Sequence, residues 1–160
     1  MNINSRIESL RQLIHELLHL GVDGSPIYSD RFTQLNKDVL VQSDALFSLR
    51  GSNPNEEASL CLVLPDGYSA TIYDCGDKEQ KKQAILDRSC LVLDQLPASL
   101  LKCQLLIACY AEVFEEELVQ EAHAIIDGWS DRELSREENE VIEILKELEE
   151  NQYPNSEIED

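Results

Sequence analysis

His15-Glu16-Leu17-Leu18-His19, near the N-terminus, matches the pattern H-E-x-x-H. On a helix, histidines at i and i+4 share a face and can grip one zinc ion, while the intervening glutamate activates a zinc-bound water. A catalytic zinc needs a third protein ligand. The extended pattern would put glycine at 22 and histidine at 25, but Val22 and Ser25 stand there, and the only other histidine is His123. Helical phase weighs against the site as well. Ile3, Ile7, Leu10, Ile14, Leu17 and Leu18 form an apolar stripe at helical spacing. At about 100° per residue, His15 and His19 fall on the other face with Glu8 and Gln12. His15, Glu16 and His19 therefore read as a solvated surface and not as a metal site. A zinc hydrolase recruiting a distant glutamate is the least favoured reading.

Other chemistry has less support. The chain contains no G-x-x-x-x-G-K, no G-x-G-x-x-G and no G-x-S-x-G. A couple of Cys103 or Cys109 with His123 is conceivable on residue types, but cysteines on a core helix are usually inert. The sequence assigns no catalytic residue and no cofactor, and it reads as a protein that is not an enzyme.

The elements that would carry any site are helical. Residues 98–129 supply the most apolar stretch: between Leu100 and Phe114 only Lys102, Gln104 and Glu112 are charged or amide residues. A helix apolar on nearly every side has to be enclosed by protein, and the run is far short of the roughly 20 residues that a membrane span needs. It reads as the central core helix. Glu115, Glu116 and Glu117 then suit the positive N-terminal end of a following helix. Leu118, Ala122, Ile125, Ile126 and Trp129 form that helix's inner face, and Gly128 reads as its terminator.

Upstream, a first helix capped by Asn4 or Ser5 runs to about Leu20, and a second, capped by Ser29, runs to about Leu49 with Phe32, Leu35, Val39, Leu46 and Phe47 inward. Pro54 with Glu56 and Glu57 marks a helix start. Residues 59–73 are ambiguous: Pro65-Asp66-Gly67 could turn a β-hairpin, but a lone two-stranded hairpin is marginal, and helix is favoured. Asp77 caps a helix to Leu96, and Ser135-Arg136-Glu137-Glu138 fits a capping box opening a last one, with Val141, Ile142, Leu145 and Leu148 inward. A weak echo at an offset of 38 aligns residues 72–96 with 110–134. The expected architecture is all-α: one domain over residues 1–150, a bundle of about six helices arranged as hairpins. Tetratricopeptide-like repetition is an open alternative, and residues 151–160 are expected to form a flexible acidic tail.

Charge narrows the partners. The net charge is −19; residues 112–160 hold 18 acids against three bases, leaving only −4 on the first 111 residues. So negative a surface repels nucleic acid and anionic membranes and suits a basic protein. It could equally be a plain solvated face. The five cysteines are odd in number and form no C-x-x-C, which fits reduced, buried thiols in a cytoplasmic protein. The first residues lack the apolar core of a signal peptide.

Residues 3–32 (INSRIESLRQLIHELLHLGVDGSPIYSDRF), 70–89 (ATIYDCGDKEQKKQAILDRS) and the stretch LDQLPASLLKCQLL with CYAEVFEEEL and EAHAIID after it resemble the UpxZ family of transcription antitermination antagonists. The similarity runs from Ile3 to about Leu148. The resemblance implies a regulator of bacterial capsular polysaccharide operons. Such a protein inhibits the NusG-like antitermination factors, of the UpxY type, that belong to other loci, so that one capsule dominates. It carries over no catalytic motif and no contact residues. From charge alone, the candidate partner-binding residues are Glu115, Glu116 and Glu117, then Glu137, Glu138, Glu140 and Glu143. A generic acidic helical adaptor is the other reading.

Overall fold

Helix starts are set by side chains that satisfy the open amides of a first turn. The computed structural model describes residues 2–22, 24 and 26–152, and among them it contains seven helices and no strand. Asn2 accepts from the Ser5 amide at 2.8 Å, so α1 (Ile3–Leu18) opens earlier than a cap at Asn4 or Ser5 would allow. α2 (Ser29–Phe47) takes Ser29 as its first residue; Tyr28 holds the cap position and makes no side-chain cap bond. Asn53 caps α3 (Pro54–Ala70) by accepting from Glu56 N–H at 2.9 Å, with Pro54 in the first turn, where its missing donor costs nothing. Asp77 precedes α4 (Lys78–Leu93) without a capping bond; its carboxylate pairs with Lys81 at 3.3 Å instead. Ser99 caps α5 (Leu100–Val113), and Glu115 stands at the N-cap of α6 (Glu116–Asp127). α7 (Arg136–Gln152) begins with the expected box: Glu138 N–H donates to Ser135 Oγ at 3.2 Å, and Ser135 N–H donates to Glu138 Oε1 at 2.8 Å. α7 continues two residues past the expected end at 150; the rest of the expected tail lies outside the described residues.

The chain groups into two compact units, one ending at Gln95 and one beginning at Leu96. In the first, α3 packs against α1, α2 and α4. The ambiguity at 59–73 resolves as helix for that reason. Leu60, Cys61, Val63, Leu64, Gly67 and Tyr68 are buried along one broad face of α3, with Asn55, Asp66 and Ser69 exposed opposite, and a helix bonds its own backbone where a two-stranded hairpin leaves two edges open. Pro65 inside the helix removes one such bond, at roughly 3 kcal/mol, which burial of the surrounding side chains offsets. In the second unit α5 packs against both α6 and α7. Within this unit α5, the apolar helix of the sequence reading, is the element on which both neighbours pack, and within the first unit α3 has that place.

Several expected core positions shift. Leu18, in the last turn of α1, is 60% exposed and does not join the buried stripe of Ile7, Leu10, Ile14 and Leu17. On α6 the inner residues are Val119, Ala122 and Ile125, with Leu118 and Ile126 half-buried. Gly128 caps in an ordinary right-handed conformation (φ −67°), whereas Phe114 ends α5 left-handed (φ 53°). Cys61, Cys103 and Cys109 are buried, but Cys75 and Cys90 are exposed. Among the described residues no helix is long and apolar enough to cross a membrane.

Polar ties lock the first unit. Arg88 on α4, 8% exposed, donates to both Glu57 carboxylate oxygens (2.8 and 3.0 Å) and to the Phe47 and Leu49 carbonyls, while Gly51 N–H donates to Glu57 Oε1 at 2.9 Å. Burial pushes the Glu57 carboxyl up, but the Arg88 and Gly51 hydrogen bonds more than reverse this and leave it below the usual range. Gly51 admits no side chain: a Cβ there would lie 2.2 Å from Glu57 N. Asn36 on α2 accepts from Ile72 N–H at 2.8 Å, while its carbonyl accepts from Thr71 Oγ1 at 2.8 Å, anchoring the end of α3. Asp44 accepts from Tyr68 Oη at 2.6 Å and Lys81 Nζ at 2.7 Å. Burial and the Asp44 carboxylate together raise the Tyr68 phenol.

Candidate functional site

His15 and His19 lie exposed on α1 with their rings stacked 4.0 Å apart, as their helical phase requires. His19 Nδ1 sits 2.8 Å from the His15 carbonyl oxygen, so that nitrogen carries a proton and donates. Glu16, the would-be base, is instead paired with Arg31 of α2. Among the described residues no three His, Cys, Asp or Glu side chains gather closely enough to hold a metal ion. His123 belongs to α6, where its Nε2 meets Glu149 Oε1 of α7 at 2.9 Å. Cys103 and Cys109, the two cysteines considered as nucleophiles, are both buried; burial raises the Cys103 thiol to about 11, and its Sγ–H points at the Ala122 carbonyl at 3.9 Å. A thiol so placed is protonated at neutral pH and makes a poor nucleophile.

The acidic candidates divide by their surroundings. Glu115, Glu116 and Glu117 are exposed together at the N-cap and first turn of α6, the positive end of the helix, which favours acidic side chains although Glu115 makes no capping bond. Glu137, Glu140 and Glu143 are exposed on α7, Glu140 in an open pair with Arg136 at 3.2 Å. Glu138 is different. It is 6% exposed, and Arg132 clasps it with two guanidinium nitrogens while Ser135 N–H donates to it. The Arg132 hydrogen bonds first, then the Ser135 amide, hold its carboxyl at about 2. Its part is to fasten the start of α7. The S-x-x-E pattern already carried that signal, since a capping-box glutamate points back at its own helix and not outward.

The profile of the UpxZ family of transcription anti-terminator antagonists matches residues 7–111. The chain belongs to the UpxZ family. Its structure is also similar to the crystal structure of a transcription anti-terminator antagonist UpxZ from Bacteroides uniformis, at 50% sequence identity and a TM-score of 0.79, with 98% of each chain covered. Among curated proteins none matches the chain. The profile covers most of α1 and all of α2, α3 and α4, and nearly all of α5. Every acidic candidate of this UpxZ-family chain lies beyond residue 111, yet within a length shared almost completely with the Bacteroides uniformis protein.

Proposed function

We propose that the chain binds NusG-like antitermination factors of the UpxY type and inhibits those of other capsular polysaccharide operons, so that one capsule locus is expressed. The observation that carries this reading is the 50% identity to a transcription anti-terminator antagonist along 98% of both chains. The surface supports a protein partner over nucleic acid. With a net charge of −19, of which −15 follows residue 111, the chain repels a phosphate backbone. The exposed acids at the head of α6, Glu115, Glu116 and Glu117, and those on α7, Glu137, Glu140 and Glu143, are the side chains proposed to meet basic patches on the factor. They act mainly by speeding association and choosing among partners. No catalysis and no cofactor are invoked, and the site of action is the cytoplasm, where transcription occurs.

The test is titration of the purified chain against a panel of NusG-like factors, with transcription read-through measured alongside. A one-to-one complex that abolishes read-through is expected for factors of other loci; a chain that binds none of them overturns the proposal. Changing Glu115, Glu116 and Glu117 together to Gln keeps size and helix propensity. Three exposed pairs at up to roughly 1 kcal/mol each cap the loss at about 100-fold. The expected result is weaker binding with a flatter salt dependence and an unchanged melting temperature. Unchanged affinity and unchanged salt slope would make the run a solubilising face only.

A further inference from the structure

α6 and α7 both lie on α5, and between them runs an open groove lined by His123 and Ile126 on one side and by Ile142, Leu145, Lys146 and Glu149 on the other. Leu145 is buried and forms the floor, while Ile126 and Ile142 are half-exposed to the groove. The His123–Glu149 contact, 2.9 Å, bridges the groove. At about 100° per residue, the strip of α6 next to His123 and Ile126 carries Glu116 and Asp127. The strip of α7 next to Ile142 and Lys146 carries Glu143, Glu147 and Glu150. All five are exposed. An apolar slot with an acidic border on both sides is the surface that a cationic amphipathic helix complements, apolar side chains in the slot and Lys or Arg over the rims.

We infer that the α6–α7 groove is a docking site for a basic amphipathic helix presented by a protein partner. This deepens the proposed function, since it rests on the chain acting through a protein partner. Charge selects the occupant. α6 and α7 together hold eleven acids against two bases, a net −9 (2 − 11). A second copy of this chain, at −19, is repelled, and the chain's own residues 153–160 add three acids and no base. The head of α6 takes part through Glu116, whereas the phase of Glu117 and Glu121 carries them away from the groove, and Glu121 pairs with Lys102 of α5.

The test uses the full chain and three synthetic helical peptides. The first has Leu at i, i+3, i+4 and i+7 with Lys elsewhere; the second has the same composition scrambled; the third has Glu in place of Lys. The first should bind and shift the methyl resonances of Ile126 and Ile142. The second should bind at least tenfold more weakly, and the third not at all. Ile126→Gln with Ile142→Gln should cost at least tenfold for the first peptide. Glu143→Gln, Glu147→Gln and Glu150→Gln together leave the floor intact and should flatten the salt dependence. If the scrambled peptide binds as well as the first, or the two Ile resonances do not move, the groove is not the site. A NusG-like factor is then titrated against the parent and the Ile variant. Equal affinity sinks the groove and leaves the proposed function standing. A factor that ignores the parent sinks the proposed function, and the peptides still decide the groove.

Discussion

Gly67 lies inside α3, where alanine would be better by about 0.5–1 kcal/mol on helix propensity, so its presence calls for a packing reason. A Cβ built there would stand 2.2 Å from Ser43 Oγ on α2, 3.4 Å from Ser43 Cβ and 3.6 Å from Leu10 Cδ2 of α1. Ser43 is fully buried, and its Oγ has no hydrogen-bond partner among the described residues. Gly67→Ala should therefore clash with one atom, the serine oxygen. Overpacking costs roughly 1–3 kcal/mol; less the propensity gain, the variant should lose about 1–2 kcal/mol. Ser43→Ala removes an unsatisfied buried hydroxyl and should gain about 1 kcal/mol. Once that oxygen is gone, the contact nearest the new methyl is the ordinary one at 3.4 Å. In the Ser43→Ala background, Gly67→Ala should then stabilise by about 0.5–1 kcal/mol. The coupling energy of the cycle is thus about 2 kcal/mol. Urea unfolding followed by far-ultraviolet circular dichroism, on the parent, both singles and the double, measures it. A coupling below about 0.5 kcal/mol, or a Gly67→Ala variant as stable as the parent, would show that Ser43 turns aside. The α2–α3 crossing would then not depend on these two residues.

Two further outcomes follow from the ion pairs Arg88–Glu57 and Arg132–Glu138. Arg88→Met should cost about 3–5 kcal/mol, since it leaves the Glu57 carboxylate enclosed without its cation, and adding Glu57→Met should recover most of the loss in the same urea experiment. Glu138, held at about 2 against an ordinary 4.5, contributes stability that is fully present above about 4.5 and lost as pH falls toward 2. Arg132→Met should raise the Glu138 carboxyl, read by its NMR titration, and start acid unfolding at a higher pH.

Helix content and most helix boundaries were legible because they depend on local chemistry. Asn53-Pro54, Ser99 and the Ser135–Glu138 box each act within one turn, on amides their own sequence provides. The misread start of α1 is a contest between neighbours, won by Asn2. The helical phase of His15 and His19 was enough to place them in solvent, and the extended similarity along the chain carried the family.

Partners across space were not legible. Nothing local in Arg88, a charged residue on a helix of mixed composition, announces that it will be buried against Glu57, 31 residues earlier. Nothing in Gly67 names Ser43. Glu138 had two local readings, surface acid and capping-box member, and burial against Arg132 selects the second. The groove between α6 and α7 is also a product of packing. Ile126 and Ile142 look like core residues in their own helices, and only the way both helices rest on α5 leaves them half-open. Sequence periodicity reports which face of a helix is apolar. Whether that face meets a neighbour or remains a slot depends on the placement of helices, which long-range contacts settle.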